Sequence, residues 1–166
     1  MFRLESDLGL WHMLENTRHV IFEARTKELR KYGTSVAHSA VFNVILALGD
    51  DATPAEIARW LFRKPSTVSD LLGRMEKEGL IRRVGYGPGR SNLVKVQLTD
   101  KGLEAHNSTA KLETIHRILA VLSPEERDRL RTSLEKLWYR SLDELGRTHI
   151  PLLPGPQTQR PEDSSE

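Results

Sequence analysis

Polar, small and basic side chains share one face of a helix that the sequence predicts from Pro65 to about residue 78. Small side chains let a helix approach another backbone closely, and polar tips can reach base edges and phosphates in a major groove. The opposite face is apolar at helical spacing, so it can pack on a core. The polar face consists of Ser66, Thr67, Ser69, Asp70, Gly73, Arg74 and Lys77, and the apolar face of Val68, Leu71, Leu72 and Met75.

A shorter helix is predicted immediately before this one, across a tight turn. Thr53, Pro54 and Glu56 indicate its start, as an N-cap, a first-turn proline and the acid of a capping box. Pro65 fits the first turn of the next helix because it has no backbone N–H to donate, and Gly79 indicates where that helix ends. The apolar face of the shorter helix consists of Ile57, Leu61 and Phe62.

A basic hairpin is predicted to follow, with strands at residues 80–84 and 92–98 and a glycine-rich tip at 85–89. From Arg59 to Lys95 the chain holds nine Lys or Arg and three acidic residues, a net charge near +6, whereas the whole chain carries +2. A solvated helix face also explains a run of charge. Here the charge coincides with a helix–turn–helix pattern, which favours a nucleic-acid surface.

These features predict which residues contact DNA. Arg90 is expected to enter the minor groove beside the site, where narrow A·T-rich tracts concentrate negative potential. Asp70 either accepts from a cytosine amino group or pairs with Arg74 or a neighbour, and repulsion by phosphates favours the pairing. The predicted DNA-binding residues are Lys64, Ser66, Thr67, Ser69, Asp70, Arg74, Lys77, Arg82, Arg90, Ser91, Asn92 and Lys95.

The rest of the chain is predicted to be helical up to a terminal tail. Residues 4–32 form a proline-free helix with more apolar face than one small domain covers, so part of it is expected to pack on a second subunit. Another helix starts at residue 34 or 35. A helix that starts at Thr99 or Asp100 carries one buried stripe, and the capping box of Ser123 and Glu126 starts a last helix that runs to about residue 146. Residues 150–166 are proline-rich and polar, which predicts a flexible tail. The stripe consists of Leu112, Ile115, Leu119 and Leu122.

Composition restricts the classes of function. The 166 residues are 38% hydrophobic and 29% charged, which is typical of one helix-rich globular unit. The chain has no cysteine, which excludes disulfides and thiolate chemistry. No apolar run approaches the ~20 residues that cross a bilayer, and we expect a cytoplasmic protein with no membrane partner. No nucleophile motif or phosphate-binding loop is present, so we expect no enzyme activity and no cofactor.

One metal-like spacing is present near the start of the chain. His12, Glu15 and His19 lie at i, i+3 and i+7 of the first predicted helix, so a carboxylate and two imidazoles could meet on one side. A complete tetrahedral set is not visible, and we therefore expect no metal site. A metal-sensing regulator that uses these residues is nevertheless one alternative function. The other alternative is a winged-helix protein-interaction module, because fold alone does not fix function.

Several of these segments together resemble a known family. The run from Thr53 to Gly79, the sequence LIRR at 80–83, LTDKG at 98–102 and SPEER at 123–127 resemble the MarR-type bacterial transcriptional regulators. The resemblance implies a mainly α fold with a small β-hairpin wing. It places a winged helix-turn-helix domain at 34–99 within one unit at 1–149, and dimerisation helices at 4–32 and 103–146.

The resemblance also implies how such a protein acts. It implies a homodimeric repressor that binds double-stranded DNA at a pseudo-palindromic operator and is released by a small aromatic or apolar effector. An effector pocket is expected between the first helix and the winged domain. The residues expected to line it are Trp11, His12, His38 and Phe42, and plain core packing explains the same residue types equally well.

Overall fold

The structure is a computed structural model that describes residues 6–85 and 94–147. These residues form seven α-helices, a short 3₁₀ turn at Gly49–Asp51 and one two-stranded antiparallel sheet. The predicted tail at 150–166 and the hairpin tip lie outside the described residues. In chain order the elements are α1 (Asp7–Arg30), α2 (Val36–Leu48), α3 (Pro54–Trp60), α4 (Pro65–Lys77), β1 (Ile81–Gly85), β2 (Val94–Leu98), α5 (Asp100–Ala110), α6 (Glu113–Leu119) and α7 (Pro124–Glu144).

One apolar core unites α2, α3, α4 and the hairpin, as expected for a winged helix. Phe42, Ile57, Leu72 and Met75 are fully buried in it. The backbone N–H of Val96 in β2 donates to the Ala52 carbonyl at 2.7 Å, so the hairpin is also fixed to the segment before α3. Ile81 pairs with Leu98 at one end of the hairpin and Gly85 with Val94 at the other. The predicted winged helix-turn-helix fold is confirmed.

The turn after α4 directs the chain into the wing. Gly79 has a φ of +71°, a left-handed conformation that glycine adopts without a Cβ clash. Its N–H donates to the Glu76 carbonyl and the N–H of Leu80 donates to the Met75 carbonyl, both at 2.9 Å. These two bonds form a Schellman cap that satisfies carbonyls at the end of α4. The predicted helix end at Gly79 is therefore correct.

Two local predictions around α3 need correction. Thr53 caps the helix by accepting from the N–H of Glu56 at 3.2 Å, but the capping box is half formed. The N–H of Thr53 donates to the Asp51 carbonyl, and the Glu56 carboxylate binds Arg59 instead. Phe62 does not belong to the helix face, because α3 ends at Trp60 and Phe62 lies in the turn with a φ of +54°.

The single helix predicted after the hairpin is also wrong. Thr99 does cap its start, but the helix stops at Ala110 and Leu112 adopts a φ of +49° before α6 begins. Two charged side chains of α1 form hydrogen bonds with backbone groups at the end of α5 and the start of α6. Arg25 donates to the Thr109 carbonyl at the end of α5, and the Glu28 carboxylate accepts from the N–H of Thr114 at 3.3 Å. Of the predicted stripe, Ile115 and Leu119 lie in α6, Leu112 is the N-cap of α6 and Leu122 follows the helix. All four residues are half-buried.

Arg25 and Glu28 also bind each other in the interior. Their side chains are 9% and 4% exposed, and the guanidinium donates to the carboxylate at 2.6 Å. Burial raises the pKa of Glu28, but hydrogen bonds from Arg25 and Thr114 outweigh it, so the pKa lies below its usual value. Each charge therefore has a partner, and together they hold α1 against the junction of α5 and α6.

The outer helices leave apolar side chains exposed in the single chain. Leu10 and Trp11 of α1 are 54% and 59% exposed, and Leu134 and Leu137 of α7 are 44% and 50% exposed. Ser123 and Glu126 form the predicted capping box at the start of α7. Within the described residues no helix is both long and apolar enough to traverse a lipid bilayer.

We predict opposite effects for two glycine substitutions. A Cβ at Gly102 would lie 1.9 Å from the Leu80 carbonyl oxygen, which already accepts from the N–H of Thr99. Gly102→Ala should therefore lower the free energy of unfolding by at least about 2 kcal/mol. A Cβ at Gly73, inside α4, meets nothing within 4 Å, so Gly73→Ala should leave stability unchanged or raise it by about 0.5–1 kcal/mol. Urea unfolding measures both, and equal effects would contradict the close approach.

We predict that the Arg25–Glu28 pair is essential to stability. Glu28→Gln leaves the Arg25 charge buried without its partner and should cost about 3–5 kcal/mol at neutral pH. Because the pKa of Glu28 is lowered on folding, its stabilisation is complete above about pH 4.3, the value of a free Glu, and is lost as the pH falls through the folded pKa. The difference from the original chain should shrink accordingly in acid.

The matched control for this pair is on the same helix. Arg18 and Glu15 are also three residues apart and bind at 2.9 Å, but their side chains are 62% and 48% exposed. Glu15→Gln should have no measurable effect, because water screens exposed pairs. Denaturant unfolding at one fixed protein concentration compares the two variants. Equal stabilities would show that the buried pair does not hold the helices.

Candidate nucleic-acid interface

The fold presents α4 with one face buried and the other exposed. Four apolar residues pack into the core and occupy one side of the helix, as the sequence predicted. At about 100° per residue, the polar residues of the other side cover an arc of roughly 160°. The helix is about 20 Å long at 1.5 Å per residue, which suits a major groove ~12 Å wide. The exposed residues are Ser66, Thr67, Ser69, Asp70, Arg74 and Lys77.

The N-terminal end of α4 has the properties of a phosphate contact. Lys64 is the N-cap residue, and in the described part of the chain the helix start has no side-chain cap hydrogen bond. Those N–H groups have no partner within the helix, and the helix dipole places positive potential there. The exposed side chains of Ser66 and Thr67 stand beside them. This end of α4 can therefore bind an oxyanion of a DNA backbone.

The predicted basic residues differ in whether their charge is already paired. Lys64, Arg74 and Lys77 form no ion pair with any residue of 6–85 or 94–147, so their charge is available. Arg82 in β1 is exposed, and its Nε donates to the Gln97 side chain at 3.2 Å. Lys95 in β2 instead binds the Asp50 carboxylate at 2.6 Å and is 20% exposed.

Asp70 does not pair as the sequence analysis favoured. It lies one turn before Arg74 on the exposed face, yet it forms no ion pair with Arg74 or with another described residue. Spacing alone does not make an exposed pair, because holding two long side chains in one geometry costs entropy. The remaining alternative is that the carboxylate faces DNA, where it can accept from a cytosine amino group.

Three predicted DNA-binding residues, Arg90, Ser91 and Asn92, lie outside the described residues. Their role remains a prediction from the sequence. The hairpin that leads to them is held on both sides of its base. Arg83 of β1 binds Glu76 of α4 at 3.3 Å, and Lys95 of β2 binds Asp50. The first contact joins the hairpin to α4, and the second joins it to the 3₁₀ turn.

The four predicted effector residues occupy different environments. Trp11 and His12 are exposed on the first half of α1, whereas Phe42 is fully buried in the winged-helix core. The Phe42 ring meets His106 of α5 edge-on, with the ring centroids 6.3 Å apart, and burial lowers the pKa of His106. His38 is partly buried, with its Nδ1 3.9 Å from a Glu78 carboxylate oxygen. Their role in binding an effector stays a prediction.

Two of the three residues with metal-like spacing, Glu15 and His19, contact other side chains. The Glu15 carboxylate accepts from Arg18 at 2.9 Å, which lowers the pKa of Glu15, and His19 lies 3.5 Å from Glu23. Across 6–85 and 94–147, no group of three or more His, Cys, Asp or Glu side chains is arranged to hold a metal ion. The alternative of metal sensing through His12, Glu15 and His19 therefore has no assembled site.

Sequence reasoning missed Arg63, which precedes Lys64 and is exposed in the turn before α4. The signal was present, because two adjacent basic residues before a helix-starting proline place positive charge at the helix N-terminus. It also missed the role of Arg25 and Glu28. A charged residue that interrupts the apolar face of a helix, as Arg25 does in α1, can indicate a buried charge that has a partner elsewhere.

The sequence of the winged-helix segment matches a known protein family. Residues 32–91 match the family model described as the MarR family. This winged-helix segment is similar to the MarR family. The matched residues include α2, α3, α4 and β1. The family is one of winged-helix transcriptional regulators, so the resemblance seen in the sequence is confirmed. No curated protein sequence matches the chain.

Solved structures of MarR-family type extend the likeness to most of the chain. The organohalide-sensing transcriptional regulator RdhR-CbdbA1625 is 26% identical, with a TM-score of 0.76 over 92% of this chain and 91% of that one; it has been solved ligand-free and with 2,4-dichlorophenol. S. aureus MepR in complex with DNA is 21% identical, with a TM-score of 0.68 over 81% and 96% of the chains. A mutant of MarR from E. coli with operator DNA is 17% identical, with a TM-score of 0.72 over 82% and 99%.

The free charges on α4 lead to a prediction about sequence discrimination. Arg74→Ala should lower affinity for the preferred duplex by about 1–3 kcal/mol and relax preference at one base position.

Asp70→Asn should raise the affinity for non-specific DNA, because the substitution removes an unpaired negative charge from the exposed face of α4. Arg131→Ala is the control, since Arg131 lies on α7 in an exposed pair with Asp128. Fluorescence anisotropy with preferred and scrambled duplexes measures all three; unchanged discrimination in both α4 variants would contradict the assignment.

Proposed function

We propose that this chain is a sequence-specific, DNA-binding transcriptional repressor that acts as a homodimer and is modulated by a small ligand. The observation that carries the proposal is the exposed face of α4, where Lys64, Arg74 and Lys77 remain unpaired among the described residues. The buried face of the same helix holds it rigidly on the core. A protein-docking module has no need of unpaired positive charge on this helix.

The exposed apolar side chains of α1 and α7 support the homodimer. A single chain leaves Leu10, Trp11, Leu134 and Leu137 between 44% and 59% exposed, on two long helices at the chain ends. Apolar surface of this extent is typical of an interface between subunits. Two-fold symmetry then requires a pseudo-palindromic site whose half-sites lie about one helical turn apart, because each subunit inserts its own α4.

Likeness to a ligand-bound relative supports modulation by a small aromatic molecule. RdhR-CbdbA1625, which is 26% identical, has been solved with 2,4-dichlorophenol. In this chain Trp11, His12, His38 and Phe42 remain the proposed effector residues. A ligand changes DNA affinity only if it prefers one arrangement of the two α4 helices over another.

Selection of bound duplexes from a random pool tests the proposed function. We expect enrichment of pseudo-palindromes with half-sites about one helical turn apart, because one α4 from each subunit reads each half-site. Enrichment of single, non-repeated sites would contradict dimeric reading. Absence of any enriched sequence, with a folded protein, would favour the protein-interaction module.

Light scattering of point variants tests the dimer separately. The original chain should give twice 18.9 kDa at micromolar concentration. Leu137→Glu places a charge on the exposed apolar face of α7 and should shift the mass toward 18.9 kDa. Val121→Glu is the control, because Val121 is an 82% exposed apolar residue that precedes α7. A dimer that tolerates Leu137→Glu as well as Val121→Glu would show that α7 is not the interface.

A further inference from the structure

A cavity of about 700 Å³ lies between the turn that joins α3 to α4 and the C-terminal end of α7. Four cationic side chains and one aromatic ring line it. The cations are Arg59, Arg63, Lys64 and Arg147, and the ring is that of Phe62. Cavities that bind small molecules are typically about 300–1,000 Å³, so the volume suits a ligand larger than a single ion.

The positive charge of this cavity is mostly uncompensated. Arg59 donates to the Glu56 carboxylate at 2.9 Å from Nε and at 2.6 Å from a terminal nitrogen, so those two charges offset each other. Arg63, Lys64 and Arg147 form no ion pair with any residue in the described part of the chain. Three free cations around a concave surface focus the field and attract an anion with more than one negative charge.

Phe62 gives the cavity an apolar wall of fixed orientation. The Phe62 ring meets Trp138 of α7 edge-on, with the centroids 5.2 Å apart. The guanidinium carbon of Arg147 lies 5.2 Å from the centre of the same ring, within cation–π range. The wall and one of the cations are therefore held together by contacts with α7, whereas Arg63 and Lys64 belong to the helix-turn-helix.

We propose that this cavity binds a small phosphate monoester that carries an aromatic or other apolar group. A phosphate monoester has a charge of about −1.5 to −2 at pH 7, which matches three free cations better than a carboxylate does. Arginine presents a planar set of donors that suits phosphate, and Phe62 provides the contact for the apolar group. The bound molecule joins the start of α4 to the end of α7. Any effect of this bound molecule on DNA affinity rests on the proposed function, whereas the binding of the molecule to the cavity does not.

Isothermal titration calorimetry of the full chain without DNA tests the site, with phenyl phosphate as the probe. Phenyl phosphate should bind, and phenyl sulfate, which has the same ring and one charge, should bind at least tenfold more weakly. Inorganic phosphate, which has no ring, should also bind more weakly. Equal affinities for phenyl phosphate and phenyl sulfate would overturn the proposal, because the three cations would then not select a dianion.

Point variants locate the binding in the cavity. Arg147→Gln and Arg63→Gln should each weaken phenyl phosphate binding about tenfold or more, since each removes a charged hydrogen-bond donor. Arg140→Gln is the matched control, because Arg140 lies on the same α7, exposed and bound to Glu144, outside the cavity. Circular dichroism with an unchanged thermal midpoint confirms that each variant is folded. Unchanged affinity in both cavity variants would overturn the assignment.

The DNA experiment separates this proposal from the proposed function. Binding of phenyl phosphate that depends on Arg147, in a protein that selects no duplex, supports the cavity and contradicts only the DNA-binding function. No binding of phenyl phosphate at millimolar concentration, in a protein that still binds its selected duplex, overturns the cavity proposal alone. If Arg147→Gln then weakens DNA binding and flattens its salt dependence, the cations contact a DNA phosphate instead.

Discussion

The buried pair of Arg25 and Glu28 determines how α1 attaches to the junction of α5 and α6. Burying two charges costs free energy that their attraction alone does not reliably offset, so such a pair persists where further hydrogen bonds satisfy it. Here those bonds go to the Thr109 carbonyl and the Thr114 N–H, backbone groups that the break between α5 and α6 leaves without helical partners. The charges and the broken helix therefore stabilise each other.

A continuous set of close contacts joins this pair to α4. The Schellman cap after α4 positions the Leu80 carbonyl, which accepts from the N–H of Thr99 and lies against Gly102 in the first turn of α5. The other end of α5 is the Thr109 carbonyl that Arg25 binds. Helix α5 thus has one end fixed to the wing and the other fixed to α1. Any movement of α1 relative to the winged helix must strain one of these two ends.

Sequence reasoning predicted the features that depend on neighbouring residues. The caps at Thr53 and Ser123, the end at Gly79 and the buried stripe of α4 follow from local propensity and helical spacing, and the structure has them. It failed where distant residues decide. Arg25 and Thr109 are 84 residues apart in sequence, so the break after α5 has no sufficient local signal, and no spacing rule connects Lys95 with Asp50, 45 residues earlier.

Contacts between distant residues also decide which positive charges of the segment from Arg59 to Lys95 are available to a partner. The sequence count gives the segment a net charge near +6, but the count treats all cations as equal. In the structure, carboxylates of α4 and of the 3₁₀ turn bind Arg83 and Lys95, so those two positive charges are offset within the chain. The unpaired cations on α4 are Lys64, Arg74 and Lys77, considering described residues alone. Affinity for an anionic partner depends on charge without an internal partner, because a paired cation must first give up its carboxylate. The unpaired cations of α4 are therefore a part of this charge that an anionic backbone could neutralise without breaking an ion pair among the described residues.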